Sequence, residues 1–142
     1  MVYYSESDPF AAAWLRNLVT AGLLPAGDVD DRDIKKVQPE DLKGYDACHW
    51  FCGIGGWPLA GRMAGLPDDF RWWSGSCPCQ GFSDAGARLG FADERHLWPL
   101  WFNILRERRP QVIFGEQVAS AIRYGWIDIV CSDLAGVPIP FS

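Results

Sequence analysis

Ala47-Cys48-His49-Trp50-Phe51-Cys52-Gly53-Ile54-Gly55-Gly56 is a run of largely apolar residues that breaks into glycines. It is too short for a helix and carries no period-2 alternation, so it reads as a parallel strand buried on both faces and feeding a tight turn. Trp57 to Ala64 then reads as a helix that stops at Gly65, and Phe70-Arg71-Trp72-Trp73-Ser74 as the next strand. Upstream, Val2-Tyr3-Tyr4 is a short strand ending at the acids Glu6 and Asp8. Pro9 opens a helix with Phe10, Ala13, Trp14, Leu18 and Ala21 at helical spacing, and Gly22 closes it. Gly27 to Asp30 is a strand edge or turn, Asp31 to Lys36 a polar connector, and Pro39 to Leu42 a single helical turn. Downstream, Asp93 caps a helix running to Arg108, with Leu97, Leu100, Trp101, Ile104 and Leu105 inward, until Pro110 stops it. Gln111 to Gly115 is a last buried strand and Tyr124 to Leu134 a last helix. The alternation predicts an α/β, Rossmann-like open three-layer fold with a mostly parallel sheet of about five strands, in a single domain spanning 1–142.

Composition narrows the class. With 142 residues, 49% hydrophobic and 22% charged, the chain buries a real core. A net charge of -5 argues against a general nucleic-acid binder, because neutralising phosphates needs a basic face. Arg106, Arg108 and Arg109 are the best candidate for a local basic patch, and favourable cations at a helix C-terminus are the preferred reading of them. Five cysteines, an odd number, and no apolar leader point to a reducing, cytoplasmic setting. No run reaches membrane-spanning length, so no membrane partner is expected.

The strand at Phe70 to Ser74 delivers the chain to Cys77-Pro78-Cys79-Gln80-Gly81-Phe82-Ser83, with Gly86, Gly90, Asp93, Arg95 and Leu97 following. Pro-Cys-Gln-Gly-Phe-Ser with those followers resembles the nucleophile loop of the DNA cytosine-5 methyltransferases. The resemblance makes Cys79 the catalytic nucleophile. Cytosine C5 is inert toward a methyl donor until a thiolate adds at C6, and covalent addition divides one hard step into easier ones. The thiolate must be favoured by its surroundings, and Arg95 or a helix N-terminus would do so. A buried, inert cysteine is the alternative reading of the same residue.

Other segments are similar to the same family. Phe51-Cys52-Gly53-Ile54-Gly55 looks like its Phe-x-Gly-x-Gly turn, which implies S-adenosylmethionine as cofactor, with Phe51, Gly53 and Gly55 in its binding site and Cys52 where alanine is more usual. Read without the family, glycines at a strand-to-helix turn allow close backbone approach to a ligand, or serve the turn alone. Ser5-Glu6-Ser7-Asp8-Pro9-Phe10 resembles the segment whose acid grips ribose hydroxyls, although an acid at a helix start also serves as a cap. Gly27-Asp28-Val29 resembles the segment whose aspartate reaches the adenine amine. Gly115-Glu116-Gln117-Val118 resembles Glu-Asn-Val, which implies that Glu116 contacts N3 of a flipped-out cytosine and assists thiolate attack as a general acid. In the family the glycine turn comes first and the two acidic segments come after it. Here Glu6 and Asp28 precede Phe51, so the chain reads as circularly permuted, and the site assembles only if the connection from Val29 to Ala47 reaches the middle of the sheet.

Cys48, His49, Cys52, Cys77 and Cys79 also invite a zinc reading, but Cys77-Pro78-Cys79 lacks the usual Cys-x2-4-Cys spacing. The resemblance runs from Tyr3 to Ser120, and the family's later Arg-bearing strand, target-recognition domain and closing segment have no counterpart between Ala121 and Ser142. Three expectations result. The chain is one half of a split methyltransferase that meets duplex DNA only with a complementing chain. Or it is an inactive truncated homologue, of the kind found in phages and mobile elements, that binds a protein partner or its own copy. Or it methylates a free nucleotide.

Overall fold

Short segments of three or four residues, separated by polar and glycine-rich stretches, supply the strands of one parallel sheet. A computed structural model of the chain describes residues 1–78 and 97–137. It divides into two compact units, Met1–Ser76 with Pro110–Gly115 and Cys77–Arg109 with Glu116–Ser142. In the first, strands β1 (Val2–Ser5), β2 (Gly27–Asp30), β3 (Ala47–Trp50), β4 (Trp73–Gly75) and β5 (Ile113–Gly115) lie in the order β2-β1-β3-β4-β5, every pairing parallel. The connection from β2 to β3 therefore does reach the middle of the sheet. The class is α/β and Rossmann-like, as the alternation predicts.

Local chemistry explains the elements. Helix α1 (Pro9–Thr20) starts at Asp8, whose carboxylate accepts the Ala11 N–H at 2.8 Å, with Pro9 in the first turn. Such a cap contributes about 1 kcal/mol. Ala12 and Leu15 face inward, and Gly22 at φ 70° carries the chain out of the helix. Strand β3 is buried along its whole length, which suits its central place. It ends at Trp50 rather than Cys52 because Phe51 adopts a left-handed conformation, φ 52°. Helix α2 (Gly56–Met63) comes directly after the glycine turn. Strand β4 begins at Trp73, later than Phe70, since the Phe70 N–H closes a turn on the Pro67 carbonyl.

Both α1 and α2 cover the same face of the sheet. Leu15 and Leu24 pack with Val2, Tyr4, Ala47 and Trp72, and Gly61 of α2 comes so close to the Trp72 ring that a Cβ there would lie 2.8 Å away. On that face His49 is buried, its Nδ1 2.8 Å from Ser74 Oγ and its ring 4.7 Å from that of Trp72. The other face carries residues 31–46, where Tyr45 meets Tyr3 edge-on at 5.3 Å and Ile34, Val37 and Leu42 are buried.

The order of strands and the faces of their connections fix relative hands. From β1 to β2 the chain steps one way across the sheet over α1, and from β3 to β4 it steps the other way over α2, on the same face. Two such crossovers have opposite hands. The β2-to-β3 connection steps across β1 on the opposite face, and so shares the hand of β1-α1-β2. Right-handed crossovers are the rule between parallel strands, and β3-α2-β4 differs in hand from the other two.

In the second unit, helices α3 (Trp98–Arg108) and α4 (Trp126–Ala135) flank a 3-10 helix at Ala119–Tyr124. Trp98 is their meeting point. Its ring lies 5.7 Å from that of Trp101 and 5.8 Å from that of Trp126, and its indole N–H donates to Asp133 Oδ2 at 2.8 Å. Helix α4 starts after Gly125, at φ 71°, rather than at Tyr124. Helix α3 is described from Trp98, with Leu97 as its N-cap, and the expected cap Asp93 lies outside the described residues. Arg106 and Arg108 sit in its last turn, and Arg109 ends it in a left-handed conformation.

Candidate cofactor site

In an open parallel sheet a ligand crevice forms beyond the carboxyl ends of the strands, at the point where successive connections diverge. Here that point lies between β1 and β3, since β2 is reached on one side and β4 and β5 on the other. Ser5 and Trp50 are paired at the ends of these two strands, so the next residues, Glu6 and the glycine turn, face each other across the seam. Glu6 Oε2 accepts the Gly53 N–H at 2.6 Å, and Glu6 Oε1 accepts the Asp8 N–H at 2.9 Å. The Cys52 N–H donates to the Ser5 carbonyl at 3.1 Å, which continues the ladder to the edge. Asp8 caps α1, so Glu6 is released from that duty and spans the seam instead. An ionised carboxylate keeps acceptor capacity beyond two backbone donors, enough to receive hydroxyls.

The turn's glycines have different reasons to be glycine. Gly55, at φ 86°, faces the core: a Cβ there would lie 2.9 Å from Leu24 Cδ1 and 3.1 Å from Leu15 Cδ2. Gly53, at φ 54°, would project a Cβ into open space with nothing within 4 Å. Gly53 therefore borders open space, whereas Gly55 allows α1 to pack under the turn. Ile54 stands between them 75% exposed, and Phe51, half-buried, precedes them in its left-handed conformation. Burial first, then the Glu6 carboxylate, pushes the Cys52 thiol up to about 12, so it is no thiolate at neutral pH.

Asp28 lies on β2 opposite Tyr3, three positions back from the level of Glu6, which is on the order of 10 Å along a parallel strand. It is exposed, and the Tyr45 hydroxyl donates to its Oδ2 at 2.6 Å. Its neighbour Asp30 is occupied by the Tyr3 hydroxyl at 2.7 Å and by Arg32, whose Nη2 lies 2.6 Å from Asp30 Oδ2. Despite burial, the Arg32 and Tyr3 hydrogen bonds hold the Asp30 carboxyl below the usual carboxylate range. Tyr45 carries no motif and is not legible as a site residue in the sequence. Its signal is the contact alone.

Cys79 lies outside the described residues. Ser76, just beyond β4, accepts the Trp57 indole N–H on its hydroxyl at 3.0 Å, which ties the first turn of α2 to the residue after the strand. In the second unit, the Gln117 side chain donates to the Cys77 carbonyl at 3.0 Å and accepts the Val118 N–H at 2.9 Å. Glu116, the residue after β5, is exposed. Trp57, Ser76 and the Gln117 clamp carry no sequence signal either, because each depends on a partner 19 or 40 residues away.

Residues 1–123 of the 142 match the family described as C-5 cytosine-specific DNA methylase. The chain belongs to that family. The match takes in the five strands, the glycine turn, Glu6, Asp28, Cys79 and Glu116. As a C-5 cytosine-specific DNA methylase family member it falls among proteins that in general draw on S-adenosylmethionine. The seam between β1 and β3 has what such a group needs: an acid fixed at a strand end, a backbone turn with an open side, and a sheet edge behind them. No curated protein matches this methylase-family chain. Among the described residues no helix is long and apolar enough to cross a membrane.

Proposed function

We propose that this chain is the cofactor- and nucleophile-bearing half of a split S-adenosylmethionine-dependent DNA cytosine-5 methyltransferase. The observation that carries the reading is the Glu6–Gly53 hydrogen bond at the divergence of β1 and β3. Glu6 holds the ribose, the open side of Gly53 admits the ligand against the backbone, and Asp28 receives the base. When bound, the cofactor supplies an electrophilic methyl group. The Cys79 thiolate adds to C6 of a flipped-out cytosine, which makes C5 nucleophilic, and Glu116 stabilises the charge gathering at N3. After methyl transfer to C5, loss of the C5 proton and release of the thiolate restore the ring.

A partner chain supplies DNA recognition. A net charge of -5 gives this chain no excess of cations to neutralise phosphates. Phe10 at 78% and Met63 at 81% exposure, with Leu23 at 59%, offer apolar surface for a protein partner. That surface also favours the second reading, a protein-binding homologue without activity.

Calorimetry with S-adenosylhomocysteine separates the two. The first reading expects one site, with affinity lost in Glu6→Ala, and methyl transfer to duplex DNA in the presence of the complementing chain that Cys79→Ser abolishes. A chain that binds no cofactor, or a Cys79→Ser variant that methylates normally, sinks it.

A further inference from the structure

We propose that Tyr45 is a specificity-setting positioning residue: by donating its hydroxyl to one oxygen of Asp28, it presents the other oxygen to a hydrogen-bond donor on the ligand, the 6-amino group of an adenine ring. The inference rests on the reading of the β1/β3 seam as a cofactor site and deepens it.

The geometry separates Asp28 from the other acids of the same strand region. Asp30 is engaged by Tyr3 and by Arg32 through both of its oxygens, and Asp31 pairs with Arg16 at 2.8 Å. Asp28 receives the Tyr45 hydroxyl on Oδ2, at 2.6 Å, and among the described residues its Oδ1 receives no hydrogen bond. The tyrosine is itself fixed. Its ring packs edge-on against Tyr3, and it is half-buried in the connection that leads directly into β3. The bond to Asp28 first, then burial, pushes the phenol up to about 12, so it remains a donor throughout the neutral range.

A carboxylate is an acceptor only. One oxygen held by a phenol fixes the plane and aim of the group, and the free oxygen then favours an N–H donor and repels a ring carbonyl. An amino purine is thereby selected over its 6-oxo counterpart. The offset of Asp28 from Glu6, on the order of 10 Å along adjacent strands, is one that a nucleoside lying over the sheet edge spans from ribose to ring amine.

The test is calorimetry of the full chain with S-adenosylhomocysteine and with its 6-oxo analogue, in wild type, Tyr45→Phe and Asp28→Asn. Phenylalanine keeps the ring contact with Tyr3 and removes the donor. Wild type is expected to prefer the amino ligand by about tenfold or more, in line with a hydrogen bond to a charged group. Asp28→Asn erases the preference, and Tyr45→Phe lowers it by about threefold or more, through weaker binding of the amino ligand with the 6-oxo ligand unchanged. Wild-type preference in Tyr45→Phe overturns the role of Tyr45 and leaves the cofactor reading intact, as does equal binding of the two ligands by wild type. Failure of wild type to bind either ligand removes the cofactor reading and this inference together.

Discussion

Gly53 and Gly55 look alike in the sequence and are separated by one residue, yet the structure gives them opposite surroundings, open space for one and the side chains of Leu15 and Leu24 for the other. Gly55→Ala combines left-handed strain with overpacking, and is expected to cost about 2–4 kcal/mol. Gly53→Ala carries the strain alone, about 1–2 kcal/mol, while weakening S-adenosylhomocysteine binding. Thermal melts and calorimetry on both variants check the contrast, and equal melting losses would contradict it. His49 gives the second prediction at this scale. Burial lowers it from an ordinary 6.5 to about 3, so the unfolded chain takes up its proton first as pH falls. Stability is full above about pH 6.5 and declines toward pH 3, by about 1.4 kcal/mol per unit. Asp30, Asp41, Asp46 and Asp68 are also lowered, from 3.8, and they titrate below this upper window. Between pH 6.5 and 4.5 the slope of unfolding free energy against pH should therefore flatten in His49→Gln. An unchanged slope would show that other groups set it. None of this was legible in residue types: a His in an apolar run does not reveal Ser74 as its partner, 25 residues on.

At the scale of elements, the sequence located the strands and helices because apolar runs, Pro9, Gly22, Gly65 and Pro110 are local signals. It misplaced several ends because local turns and backbone conformation, not residue type, set them: the Phe70 N–H closes a turn on Pro67, and Gly125 at positive φ precedes α4. Phe51 is as apolar as Trp50, and only its positive φ takes it out of the strand. Partnership between elements was equally hidden, since register is a long-range property. Glu6 as cap or as ligand was undecidable in the sequence, which shows neither that Asp8 caps α1 nor that Glu6 reaches Gly53. The division of labour is testable. Asp8→Ala should lower stability by about 1 kcal/mol and leave S-adenosylhomocysteine affinity largely unchanged. Glu6→Ala should abolish that affinity. Urea titrations paired with calorimetry distinguish them, and a Glu6→Ala variant that binds normally would return Glu6 to a structural role.

Across the first unit, the β3-α2-β4 connection has the hand opposite to that of the other two crossovers. Helix α2 packs over β1 and β3 and hands the chain on to β4, on its far side. The β1–β3 ladder has a further consequence. Residues 1–43 hold β1, α1 and β2, and the remainder holds β3, α2, β4 and β5, so every hydrogen bond of the sheet other than that one ladder is internal to a contiguous fragment. The chain is a candidate for fragment complementation. Cut at the exposed Lys43–Gly44 bond, the two pieces should reassociate along β1 and β3, and S-adenosylhomocysteine should tighten their association by binding both. Fluorescence titration of one fragment with the other measures this, and association indifferent to the ligand would place the nucleoside elsewhere. A small molecule would then act as the bond between two polypeptides, making a protein whose wholeness depends on its cofactor supply.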